Sequence, residues 1–323
     1  MKRLVVGVAI FAMVAAACTP DDADPTTTAP ESATTAAPTT TSAPTTTAAA
    51  EAAPDIYLNL VWHQHQPRYP LDADGVVTRP WVRLHATKDY YDMASILRDY
   101  PDVQATFNLT PILLLQLEEL ANGTTDVYWE KSSIPAEELT DDDKQFIMER
   151  FFDINGKIIA RFPRYQELAD KRAAAGGFSA PIDTFTTQDY ADLQALFNLG
   201  WTDPSFLDVE PLSALAAKGR DFSGDDIEII LNEHLEITKA VIPLHAEMWN
   251  DGQIEVITTP LAHPILPLLA DTNLATVGDP AALLPDNRFQ EIPDADQHVI
   301  RGLDEAERLL GRRPVGMWPG EGA

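Results

Sequence analysis

A carboxylate stands late in the chain, in the run Gly316-Met317-Trp318-Pro319-Gly320-Glu321. It follows a short apolar, strand-like stretch and a Pro/Gly turn, an arrangement that holds a side chain rigidly at the end of a strand. A carboxylate held this way can attack an electrophilic carbon or exchange a proton. Trp318, three residues earlier, offers a flat apolar face of the kind on which a pyranose ring packs. On spacing alone Glu321 reads better as a surface acid.

A second group lies in Val61-Trp62-His63-Gln64-His65-Gln66-Pro67. Residues i and i+2 of a strand share a face, so His63 and His65 should project together. Two imidazoles so placed suit sugar hydroxyls or a divalent cation; two polar residues at a loop start would look the same. A third group runs from Gly252-Gln253-Ile254-Glu255 through Thr258-Thr259-Pro260 to His263-Pro264. A carboxylate inside a short apolar strand is costly unless it is paired. Glu255 is therefore a candidate inner-face residue, or else a solvent-facing residue on an edge strand. Arg83 and His85, after Trp81, are weaker candidates for lining a cleft. The triplets Asn108-Leu109-Thr110 and Asn122-Gly123-Thr124 match glycosylation acceptors but are too common by chance to carry weight.

These groups need elements to position them. Residues 55–62 and 103–109 read as buried strands, and 254–258 as another. Residues 276–278 read as the end of a short strand, and 315–318 as the last one. Helical spacing marks 88–100, 111–121, 140–162, 187–199 and 294–310, the last with Gly311 just past its end. Residues 225–249 are also helical, interrupted by Pro243. Short buried strands alternating with helices imply parallel βα units. Residues 124–224 carry no clear strand and read as a helical insertion.

The first 53 residues are of a different kind. Residues 1–17 have a basic start, an apolar run and small residues at the end, which reads as a secretory signal. That run is shorter than the roughly 20 apolar residues a stable span needs. Cys18, the only cysteine, follows Ala15-Ala16-Ala17 as in a bacterial lipoprotein box, although the usual Leu is Ala15 here. Lipidation of Cys18 and an extracytoplasmic, membrane-anchored protein are the expectation. One cysteine allows no disulfide within the chain. Residues 18–53, rich in Thr, Ala and Pro, read as a disordered tether with a reach on the order of 100 Å at about 3.1 Å per residue. The net charge of −27 argues against nucleic acid and anionic membrane surfaces as partners. Residues 54–323 suffice for one barrel-sized domain.

The segments WHQHQP, WVRLHATKDYYDM, FNLTPILLLQLE, GQIEV with its following TP and HP, and GMWPGEG occur in one order. In that order the chain resembles the glycoside hydrolase family 57 α-glucanases over residues 55–323, most of all the amylopullulanase and α-amylase types. The resemblance implies an α/β fold, an incomplete (β/α)7 barrel with a helical insertion. It implies hydrolysis of α-glucan with retention through a covalent glycosyl-enzyme intermediate, and neither cofactor nor metal. Glu321 matches the nucleophile and His65 a residue beside it, while Glu255 and His263 match positions that order the site. Trp318 flanks the nucleophile; His63, Gln66, Arg83 and His85 complete the implied sugar-binding set. The family's acid/base Asp belongs to a later block that would fall beyond Ala323, so the barrel is expected to be cut short at its C-terminal side. Rival readings are a non-catalytic α-glucan-binding lipoprotein, a 4-α-glucanotransferase and a metal-dependent deacetylase. Linkage preference and oligomeric state leave no mark in the residues.

Overall fold

The computed structural model describes residues 57–323. The leader, Cys18 and the tether lie outside the described residues. The chain forms a mixed α/β fold around a small parallel sheet. Its strands are β1 (Val61–Gln64), β2 (Ala105–Leu109) and β3 (Ile254–Thr258), in that spatial order. Val61 pairs with Thr106 and His63 with Asn108, while Thr106 pairs with Glu255 and Asn108 with Ile257.

This register divides the sheet by face. Ala105, Phe107, Leu109, Ile254 and Val256 share a core with Leu244, Met248 and Trp249 from the helix Gly224–Asn250. Ala306 and Leu310 from the helix Ile292–Leu310 join the same core. The opposite face carries Val61, His63, Thr106, Asn108, Glu255 and Ile257, and no described helix core covers it. Parallel strands need long crossovers. Here the crossovers are helical residues between β1 and β2 and the whole of 110–253 between β2 and β3.

Between Trp129 and Phe222 the regular elements are all helices, and they enclose a core of their own around Tyr128, Phe151, Tyr165 and Phe197. Its helices start on strong caps. Thr140 with Asp143, Thr186 with Asp189 and Ser223 with Asp226 each form a reciprocal capping box. The helix Gly224–Asn250 links the two cores. Ile227, Ile230 and Leu231 belong to the helical one, and Leu244, Met248 and Trp249 to the sheet.

Several elements differ from the sequence reading. The helix continues through Pro243, where an interruption was expected. Proline removes one helical hydrogen bond, but burial of both halves in separate cores holds the helix together. Residues 55–56 of the expected first strand lie outside the described residues; among those described the strand begins at Val61, and Tyr57, Leu58, Val61 and Trp62 are exposed where burial was expected. Helical structure begins at Trp81, ahead of residue 88, and passes through a π-turn at Ala86–Tyr90. The pattern over 140–162 breaks into Asp141–Arg150 and Gly156–Ile159, because Asn155 caps a new helix start. Ala275–Gly278 is helical, where a strand end was expected. The last strand is reduced to a parallel bridge between Thr258 and Met317. No helix among the described residues is long and apolar enough to cross a membrane.

Candidate active site

The C-terminal ends of the strands bring His63, His65, His263, Trp318 and Glu321 into one cluster. The His63 and His65 rings stack 5.9 Å apart, as their i, i+2 spacing requires. His263 lies 4.4 Å from the His65 ring and 5.1 Å from that of His63. Trp318 stacks on His63 at 5.6 Å. Glu321 Oε1 is 3.6 Å from His263 Nδ1.

Backbone contacts hold Glu321 there. The Trp318 N–H donates to Thr258 O at 2.7 Å, and the Thr258 N–H to Gly316 O at 3.2 Å. The segment is thereby fastened to the end of β3. Pro319 then runs extended into Gly320, whose Cα faces the Pro264 and His263 carbonyls with no room for a Cβ. This close approach sets the next residue, Glu321, against His263. Glu321 and His263 both lie in the left-handed region, at φ 57° and 55°. Asp221 is the one other non-glycine residue with positive φ among those described, so this uncommon conformation concentrates in the cluster.

The loop carrying His263 is clamped from both sides. The Leu261 N–H donates to His298 O at 2.8 Å, and Leu261 O accepts from the Ile112 N–H at 3.0 Å. Gly302 lets the helix Ile292–Leu310 press on this loop, since a Cβ there would meet Thr259 O at 2.7 Å and Leu261 N at 2.8 Å. The His263 side chain is 3% exposed and its Nε2 has no partner, while the Glu321 side chain is 67% exposed. The cluster therefore offers an open carboxylate backed by a buried imidazole.

Partial burial, then neighbouring His263, holds His63, whose surface is still open to solvent, below the usual imidazole value, against the opposing pull of Glu321. His65 is lowered by burial, then by His263 and His63, again opposed by Glu321. Both rings are therefore neutral near pH 7, each with one N–H and one bare nitrogen, that of His63 facing the Asn108 amide. That is a hydrogen-bonding set suited to hydroxyl groups. Among the described residues, no group of three or more His, Cys, Asp or Glu side chains has a metal-holding arrangement.

The other sequence candidates sit elsewhere. Gln66 Nε2 donates to Tyr90 Oη at 3.0 Å and Gln66 Oε1 accepts from Tyr69 Oη at 2.7 Å, which ties the loop after His65 to the next helical segment. His85 Nδ1 meets Asp89 Oδ2 at 2.5 Å, and its ring packs on Tyr90 and Trp201. Arg83, expected to line a cleft, is buried. It bonds Asp126 at 2.5 Å, Asn198 at 3.0 Å and His234 at 2.9 Å, since a guanidinium inside a core must find such partners. Glu255 does lie on the same sheet face as His63, but two positions toward the strand's start. It lines a groove with Tyr57, Gln104 and Arg312 and does not reach the cluster.

Asn108 is the residue that sequence reasoning missed. Its side chain is wholly buried, and its Nδ2 is hydrogen-bonded to His63 Nδ1. Like Glu255, Asn108 is a polar residue inside a largely apolar strand.

No curated protein is significantly similar to the chain. Similar solved structures include a GH57-type branching enzyme from the hyperthermophilic archaeon Pyrococcus horikoshii, at 16% identity and TM-score 0.35. The α-amylase AmyC from Thermotoga maritima is another, at 14% identity and TM-score 0.36. The first match covers 82% of this chain and 34% of the other, the second 81% and 35%. The chain thus spans about a third of the length of these structures. The model of glycosyl hydrolase family 57 matches residues 59–323, a span that takes in every member of the strand-end cluster, and the chain therefore belongs to that family.

Proposed function

We propose that this chain supplies the nucleophile side of a retaining α-glucan hydrolase of the amylopullulanase or α-amylase type, with Glu321 as the nucleophile. The observation that carries this reading is the placement of Glu321, open to solvent yet 3.6 Å from buried His263 at the strand ends. In the reaction a Glu321 oxygen bonds to the anomeric carbon as the glycosidic C–O bond breaks. The leaving oxygen takes a proton from a second carboxyl, and water later releases the sugar. In a retaining site the two carboxyls stand roughly 5–5.5 Å apart. The resemblance assigns the second to a later block, and none of the described residues is given that role. Neutral His63 and His65 hydrogen-bond sugar hydroxyls, and Trp318 provides the apolar platform. His263 backs Glu321 rather than touching sugar, because its side chain is buried.

The same proposal places the catalytic part in an incomplete (β/α)7 barrel with the helical region as an insertion. It places the protein outside the cytoplasm, held to the membrane by lipid on Cys18 through the tether. An activated 5-fluoro-α-glucosyl fluoride tests the chemistry. Intact-mass and peptide analysis of the whole protein should show one glycosyl adduct on Glu321, absent in Glu321→Gln. An adduct on another carboxylate would overturn the assignment.

A further inference from the structure

We infer that Asn108 is a positioning residue of this site, whose side-chain amide fixes the tautomer and ring plane of His63 so that His63 carries its proton on the outward nitrogen, Nε2.

The inference rests on the hydrolase reading only for the identity of the ligand; the tautomer follows from the orientation of the Asn108 amide, whose nitrogen faces His63. His63 and Asn108 are register partners on neighbouring strands, so their side chains rise side by side from the same face. Asn108 Nδ2 is within hydrogen-bonding distance of His63 Nδ1. An amide nitrogen has only N–H to offer, so His63 Nδ1 must present its lone pair. A neutral imidazole has a single N–H, which this leaves on Nε2.

Burial makes the arrangement specific. Asn108 is fully enclosed, and its Oδ1 has no hydrogen-bond partner among the described residues. An amide buried with one half unpartnered is destabilising. On the same face its register neighbour Ile257 is apolar, so an apolar residue at 108 would suit packing alone. The bond to His63 is what the amide adds. The other titratable groups facing His63 are His65, His263 and Glu321. Glu321 draws a proton toward the ring, and the two imidazoles oppose this without selecting a nitrogen. Asn108 is the group that selects one.

Long-range proton–nitrogen NMR on the whole protein, with the His63 signal assigned through His63→Gln, reads the tautomer directly. The native ring should be the Nε2–H form. Asn108→Ala should give mixed tautomers. Asn108→Asp, nearly isosteric, should move the proton to Nδ1 and raise the His63 pKa, which keeps the test informative if the alanine variant fails to fold. Turnover of an aryl α-maltoside should show KM raised about two- to tenfold in Asn108→Ala, as loss of one hydrogen bond predicts. Its acid limb should move to higher pH in Asn108→Asp. A native Nδ1–H tautomer, or an unchanged tautomer in both variants, would overturn the inference. So would a changed tautomer with unchanged KM and pH profile. Failure of the hydrolase reading is distinct: it would show as full turnover in Glu321→Gln, whatever the His63 tautomer.

Discussion

The strand-end cluster and the helical region use the same polar residue types to opposite effect. In the helical region Arg83 is bound by Asp126, Asn198 and His234, and His234 in turn meets Thr202 at 2.8 Å. Arg164 meets Asp192 at 2.8 Å and also Asp189, which Lys171 reaches at 2.6 Å. Gln194 Oε1 is the exception there, a buried atom with no partner. In the cluster, Asn108 Oδ1 and His263 Nε2 are buried without partners, Glu321 is open, and two backbones are left-handed. His245 Nε2 and Trp249 Nε1 beside the sheet core also lack partners, so what sets the cluster apart is that unpaired buried groups coincide there with left-handed backbone and an open carboxylate.

Glu321→Gln should separate the two regions most clearly. The turnover rate should fall by on the order of 10⁴–10⁶-fold, as for removal of other covalent nucleophiles, with the denaturant midpoint unchanged. A large stability loss would move Glu321 to the structural side. Arg83→Ala is the counterpart. It strands buried Asp126 and should cost about 3–5 kcal/mol in equilibrium unfolding. A neutral outcome would mean that Arg83 is not locked in a core.

Acid tests the buried histidines. Burial pushes His245 down to about 4, against 6.5 unfolded, while its Nδ1–H donates to Val241 O at 2.8 Å. Between those values the unfolded chain binds a proton that the fold excludes, so stability rises with pH. The contribution is complete above about pH 6.5 and should fall by about 3 kcal/mol as pH drops to 4. Urea midpoints across that window should slope, and His245→Phe should flatten the slope. His234, also lowered by burial, adds in the same direction.

Gly320→Ala probes the backbone that carries Glu321. The new Cβ would press on the Pro264 carbonyl and cost about 1–3 kcal/mol. Moving Glu321 by about an ångström should also lower turnover on the order of 10²-fold. Ser223→Ala, at a helix cap far in sequence from the cluster, should cost about 1 kcal/mol and leave turnover unchanged. Differential scanning calorimetry beside a glycosidase assay separates the two.

Much of this was legible in local pattern. The helix Pro111–Ala121 has Pro at its start, the helix Ile292–Leu310 ends at Gly311, and β3 is an apolar run. The i, i+2 spacing of His63 and His65 is enough to place their rings together. Order along the chain carried the rest of the reading, linking Trp318 and Glu321 to histidines far away in sequence.

Tertiary structure alone decided the partners. Arg83 and His85 stand two residues apart, yet one is sealed against Asp126 and the other half-exposed beside Asp89, because only the packed helices define what surrounds each. Glu255 and Asn108 make the same sequence argument, and register decides between them: Asn108 is level with His63, Glu255 two positions below. Most of the elements, the histidine pair and the family were readable from local pattern, because periodicity and turn chemistry act over a few residues, whereas the course of the helix through Pro243 and the helical turn at Ala275–Gly278 were not. Which polar groups are paired and which are left without a partner depends on contacts between distant segments, such as Gly320 on Pro264 and Asn108 on His63, and those exist only once the chain is packed.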